Sequence, residues 1–168
     1  MQFVEYVREL YPDKFRFQRV LEVGSRNING TVRDYFFLCE YVGLDCSPGT
    51  DVDVVSLAHE YDAAPFDTVI SCECFEHDPH WRQTVANITR LLKPGGLFVA
   101  TWAGPARAEH GTKGTGEVYG PDGDYYHNIA GEEFLEVIGD AFSPRKILAK
   151  TNGDGVEDVY FWGLRSLQ

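Results

Sequence analysis

Positive charge is scarce in this sequence: 15 Lys and Arg stand against 26 Asp and Glu, for a net charge of −11. A surface this acidic repels phosphate backbones, and no run of Lys and Arg offsets it locally. Nucleic acid is therefore not expected as a partner, nor is an anionic membrane. Long apolar runs are also missing, since no stretch approaches the ~18–20 uninterrupted apolar residues that span a bilayer. Met1-Gln2-Phe3-Val4-Glu5-Tyr6 lacks the basic start and apolar stretch of a secretory signal, so the expected location is cytoplasmic. Cysteine is used four times, at Cys39, Cys46, Cys72 and Cys74, without the spacing of a disulfide framework. Cys72-Glu73-Cys74 followed by His77 admits a metal-ligand reading. The preferred reading is burial, because both thiols fall at the end of an apolar strand, and no metal is expected. Repeats, low-complexity tracts and linkers are absent too.

What is present suits a packed interior: 168 residues, 43% hydrophobic and 14% aromatic. That is enough for a single domain over 1–168 with one core. Phe3, Val7 and Leu10 follow helical spacing over 2–11. Residues 19–23, 41–44, 53–56, 66–71 and 97–102 read as strands, the last nearly all apolar, as when helices cover both faces of a sheet. A helix is expected over 31–39. Another should follow Asp78 as N-cap and Pro79 in the first turn, bury Trp81, Val85, Ile88 and Leu92, and stop at Lys93-Pro94-Gly95-Gly96. A further helix is expected over 131–141. Two last strands near 145–150 and 157–164, joined by Asn152-Gly153-Asp154-Gly155, must be antiparallel, because a parallel pair needs a long crossover. Alternating strands and helices imply a mostly parallel sheet.

Two acids sit where ligands bind in such sheets. Val20-Leu21-Glu22-Val23-Gly24 is an apolar strand ending in an acid and a glycine, before a polar turn Ser25-Arg26-Asn27-Ile28-Asn29-Gly30. Gly24 lets a ligand approach the backbone, free amides at a following helix start can receive a carboxylate, and Glu22 can attract an ammonium. The plainer alternative is a tight strand-to-helix turn. Asp45 ends the second strand about twenty residues beyond Gly24, where an acid can accept hydrogen bonds from ribose hydroxyls. Otherwise it is a solvated turn residue.

The segments Leu21-Glu22-Val23-Gly24, Tyr41-Val42-Gly43-Leu44-Asp45, Phe66 to His77 and Leu91-Leu92-Lys93-Pro94-Gly95-Gly96-Leu97-Phe98-Val99 resemble class I, Rossmann-like S-adenosylmethionine-dependent methyltransferases of the small type 11 kind. The resemblance covers roughly 19–103. It implies a three-layer α/β sandwich with a seven-stranded sheet in the order 3-2-1-4-5-7-6 and an antiparallel last strand. It further implies S-adenosylmethionine as donor and S-adenosylhomocysteine as product. Carried across, Glu22, Gly24 and Ser25 face the methionine part, with Asn29 and Gly30 closing the turn. Asp45 and Cys46 face the ribose, and Ser56, Leu57 and Ala58 the adenine. Ser71, Cys72 and Glu73 lie beside the sulfonium. Arg26 either pairs with the donor carboxylate or points to solvent. The sequence departs from the family at Arg26 and Ile28, where glycines are usual.

Methyl transfer from a sulfonium is a direct displacement that needs a base only if the acceptor must lose a proton. His77 and Tyr126, beside His127, are the candidates, with a purely structural His77 as the alternative. The glycine-rich stretch 103–130 reads as a lid over a small-molecule acceptor. Two other functions compete: a non-catalytic partner module that keeps the fold, and an NAD(P)-dependent oxidoreductase. The latter lacks its Gly-x-Gly-x-x-Gly fingerprint here.

Overall fold

Period-2 alternation along the central strands divides the core into two halves. Leu21, Val69 and Phe98 point to one face of the sheet, while Val20, Ile70 and Val99 point to the other. The computed structural model describes residues 2–167; Met1 and Gln168, the ends of the expected domain, lie outside them. The strands are β1 (Arg19–Val23), β2 (Glu40–Asp45), β3 (Val54–Val55), β4 (Phe66–Cys72), β5 (Leu92–Ala103), β6 (Phe142–Asn152) and β7 (Gly155–Arg165). They form one sheet in the order β3-β2-β1-β4-β5-β7-β6. Pairing is parallel from β3 through β5, and β7 runs antiparallel to both β5 and β6. This is the implied order.

Helices α2 (Trp81–Leu91) and α3 (Gly131–Ile138) cover the first face. Trp102 stacks on Phe134 with centroids 4.3 Å apart, and its indole N–H donates to the Ile129 carbonyl at 2.9 Å. Helix α1 (Gln2–Leu10) covers the second face through buried Val4 and Val7, beside Phe15 and Trp162. α2 starts three residues after Asp78, because a short 3-10 turn over Phe75–His77 must first be left behind. Asp78 still serves the helix start, accepting from the His80 amide at 2.8 Å and the Thr84 hydroxyl at 2.5 Å. β5 begins already at Leu92 and absorbs Lys93–Gly96 in an irregular register. α3 ends at Ile138, before Gly139 at φ +48°. Among the described residues, no helix is long and apolar enough to cross a membrane.

The helix expected over 31–39 does not form. Only a 3-10 turn at Arg33–Tyr35 appears there. Residues 36–38 instead run beside 15–17: the Phe37 amide donates to the Phe15 carbonyl at 2.9 Å, and the Phe17 amide to the Phe37 carbonyl at 3.1 Å. Phe36 stacks on Phe15 at 4.6 Å, and Leu38 turns at φ +51°. Pairing with a distant segment outweighs a helical preference that only local spacing supported.

Gly43, in the middle of β2, shows how closely the site region is packed. A Cβ built there would stand 2.2 Å from the Asp51 carbonyl oxygen and 2.8 Å from the Ser25 hydroxyl. Gly43→Ala should therefore lower stability by about 1–3 kcal/mol, the usual cost of overpacking. Urea unfolding of the two proteins measures it, and an unchanged midpoint would contradict this packing.

Candidate functional site

A cleft of about 1220 Å³ opens at the carboxyl ends of β1, β2 and β4. Pockets for one small ligand run to about 1,000 Å³, so this one has room for two reactants side by side. Glu22, Gly24, Ser25, Arg26, Asn29, Gly30, Asp45, Cys46, Ser56, Leu57, Ala58, Cys72, Glu73 and His77 all line it. Ser71 and Tyr126 do not. Ser71 is fully buried and its hydroxyl donates to the Val23 carbonyl at 2.9 Å, tying β4 to β1. Tyr126 donates to the Ala108 carbonyl at 3.2 Å.

The tip of β1 is joined to the tip of β2. The Gly24 and Ser25 amides both donate to the Leu44 carbonyl, at 2.9 and 3.1 Å. The Arg26 amide donates to one oxygen of Asp45 at 3.1 Å, the Ser47 amide to the other at 2.9 Å, and the Asn27 amide to the Thr50 carbonyl at 3.0 Å. The free amides expected after Gly24 are thus engaged inside the protein, because no helix follows to leave its first turn open. The Arg26 guanidinium donates to the Val118 carbonyl at 3.0 Å, clasping the 104–130 loop.

Glu22 is 5% exposed and accepts from the Tyr41 hydroxyl at 2.8 Å. Burial is the main cause that lifts its carboxyl to about 7; the Tyr41 bond and the Arg33 charge pull the other way. The Ser25 hydroxyl is buried without a hydrogen-bond partner. At the far side of β2, the Leu57 carbonyl accepts from the Glu60 and Tyr61 amides, and that of Ala58 from the Asn87 side chain.

At the tip of β4, Glu73 sits at φ +51°, a region costly for a side chain with a Cβ. Its amide donates to the Thr101 carbonyl at 2.9 Å, and its carboxylate accepts from the Thr101 hydroxyl at 2.7 Å. Burial pushes the Cys72 thiol up to about 12 and Cys74 well above its ordinary value. Both stay protonated thiols and are half-buried, less enclosed than the burial read from the sequence. Burial, with His110 nearby, lowers His77 to about 4. A histidine so poised is neutral near pH 7 and a weak base. Its ring packs against His110, Tyr119 and Tyr126.

The 104–130 loop reaches the cleft through Arg107, His110, Tyr119, Gly120 and Pro121. Gly120 has no room for a side chain, its Cβ position lying 2.1 Å from the His77 carbonyl oxygen. The sequence reading missed the other wall. Phe3 and Tyr6 of α1 line it, as do Lys150, Asp158 and Tyr160 of the hairpin. Buried Asp158 pairs with Arg107, and Lys150 with Glu157 at 2.8 Å. Only the polar residues in an otherwise apolar β7 hinted at this wall.

A cleft over the tips of β1, β2 and β4, together with an antiparallel β7 beside β5, defines the class: a Rossmann-like fold of the methyltransferase kind. The family model for the methyltransferase domain matches residues 2–121, and the chain belongs to that family. No curated protein matches it in sequence. Among solved structures it is similar to Burkholderia thailandensis 1,6-didemethyltoxoflavin-N1-methyltransferase with bound 1,6-didemethyltoxoflavin and S-adenosylhomocysteine. That match has 19% identity and a TM-score of 0.66 over 95% of this chain and 76% of the other. It is also similar to Haemonchus contortus phosphoethanolamine N-methyltransferase 2 in complex with S-adenosyl-L-methionine, at 20% identity and a TM-score of 0.70 over 99% of this chain. The chain spans about half of that enzyme, 52% of its length. The Synechocystis magnesium protoporphyrin IX methyltransferase with bound S-adenosylmethionine shares 13% identity, at a TM-score of 0.66 over 98% and 79% of the two chains.

Glu22 makes the ligand-free protein sensitive to pH. Its folded-state carboxyl holds a proton more tightly than in the unfolded chain. The stability this contributes is complete below the ordinary carboxylate value, falls above it, and is gone once pH has risen through about 7. Urea unfolding from pH 4.5 to 8 should show a loss of roughly 3 kcal/mol that Glu22→Gln removes. Equal slopes in both proteins would contradict a buried, protonated Glu22.

Proposed function

We propose that this protein transfers a methyl group from S-adenosylmethionine to a small-molecule acceptor by direct displacement. The observation that carries the reading is the cleft, which has acids on its floor and space for two molecules. Its residues suit the donor. Glu22 answers an ammonium, the partnerless Ser25 hydroxyl answers a polar atom of the ligand, and Asp45 answers ribose hydroxyls. Each Asp45 oxygen holds one backbone amide and keeps acceptor capacity for a second donor. With the Leu57 carbonyl taken by two amides, adenine is left to the N–H groups of Leu57 and Ala58, to the second lone pair of the Ala58 carbonyl and to apolar contact.

Bound S-adenosylmethionine supplies a methyl group already activated by a sulfonium, and S-adenosylhomocysteine remains after transfer. The protein's part is orientation and exclusion of water, which together can contribute about 7–11 kcal/mol. The 103–130 lid does this by covering the cleft, held to the β1 turn through Arg26. Neither His77 nor Tyr126 is assigned as a base. His77 is too weak and Tyr126 stands outside the cleft, so the favoured acceptor presents a lone pair without help.

The engaged amides of residues 24–27 favour one second reading, a partner module that keeps the fold without turnover. The dinucleotide reading has less to stand on. It needs a helix start after β1, and a 3-10 turn is found there. Calorimetric titration separates these readings. S-adenosylhomocysteine should bind and NADH should not. Asp45→Ala should weaken binding about 10- to 100-fold, the worth of a charge-assisted hydrogen bond. Unchanged affinity in that variant would reject the assigned pocket. Donor binding without transfer to any of a broad acceptor panel would select the partner module.

A further inference from the structure

Beside the cleft, under the lid, lies a cluster that the proposed reaction does not use. Glu76 is fully buried, and neither carboxylate oxygen has a hydrogen-bond partner. The amides of Glu76 itself and of Ala103 lie close enough to pull its carboxyl down, but neither makes a hydrogen bond to it. His77 is 3% exposed, and both its ring nitrogens are without partners. His110 comes from the lid, with Nε2 4.0 Å from a Glu76 oxygen. One ligand atom from each of the three residues falls within 4.8 Å of the others.

The tautomer of His110 sharpens the point. Its Nδ1 lies 3.1 Å from the Ala108 carbonyl, which can only accept, so Nδ1 carries the proton. In the neutral ring Nε2 is then a lone pair facing the Glu76 carboxyl, which burial keeps protonated in the metal-free protein. Such a pair calls for a proton or a cation between them. Two imidazoles and one carboxylate, with Glu76 and His77 buried and His110 half-buried, form a mixed nitrogen and oxygen set suited to borderline divalent transition metals.

We propose that Glu76, His77 and His110 form a binding site for a divalent transition-metal ion. Metal–ligand bonds of about 2.0–2.2 Å put ligand atoms roughly 3.3–3.6 Å apart, so the set closes by about 1 Å on binding. His110 makes that movement, since it sits on a loop beside Gly111 at φ +67°. Glu76 seals the ion from behind, while His77 and His110 front the cleft, so the open coordination positions face it. An oxygen or nitrogen of the acceptor would take one of them. This last role rests on the methyl-transfer reading; the site itself does not.

Metal-stripped protein titrated with Zn2+ or Co2+ should take up one equivalent, with Co2+ developing visible bands of histidine and carboxylate ligation. His110→Ala, on the lid, and Glu76→Gln, a near-isostere in the core, should each weaken binding at least 10-fold. His80→Ala removes an exposed histidine outside the cluster and should change nothing. S-adenosylhomocysteine affinity measured on the same samples keeps the two readings separate, because loss of metal should leave it intact. No stoichiometric uptake at millimolar ion, or equal weakening by His80→Ala and His110→Ala, overturns the site. Glu76 would then be a buried neutral acid.

Discussion

The joint between the tips of β1 and β2 governs the rest of the site. One carbonyl, that of Leu44, receives two amides from the β1 turn, and one carboxylate, that of Asp45, receives an amide from each side. These bonds pull the turn down onto β2, which Gly43 allows by having no side chain. They also use up the donors that a helix start would have turned toward a ligand. The floor of the cleft is therefore made by side chains, chiefly Glu22, Ser25 and Asp45, and much less by backbone amides.

Acid is concentrated at this floor and walls against a cost. Taking a carboxylate out of water is unfavourable unless charge or hydrogen bonds answer it. Asp158 is answered by Arg107, and Asp45 by two amides. Glu22 is answered in part by Tyr41, so its proton is held up to about 7. Glu76 is answered by no hydrogen bond. Hydrogen-bonded carboxylates shape the cleft, whereas the under-satisfied ones mark where ligands are to be sought.

Most of the fold was legible because its strands carry strong local patterns. β4 and β5 are apolar runs closed by turns, and two strands joined by a short Asn-Gly-Asp-Gly turn have only one way to pair. That Glu22, Gly24 and Asp45 meet at one cleft was legible for the same reason, since glycine and acid at strand ends have a local meaning. Alternation turns the Ser71 side chain of β4 away from the cleft, where its hydroxyl ties β4 to β1 through the Val23 carbonyl. The helix over 31–39 failed because Phe36 and Phe37 found partners at Phe15 and Phe17, which no local window contains.

By itself the sequence determined the alternation of elements, the reversal at β7 and the acids closing β1 and β2, because each depends on residues close together in the chain. Tertiary structure alone decided what those acids meet. It set Arg26 on the Val118 carbonyl, 92 positions away, walled the cleft with α1 and the terminal hairpin, and brought His110 to Glu76 and His77. Spacing along a chain reports which face of an element a residue occupies. The approach of a distant loop depends on how the whole core packs, and no short pattern encodes that.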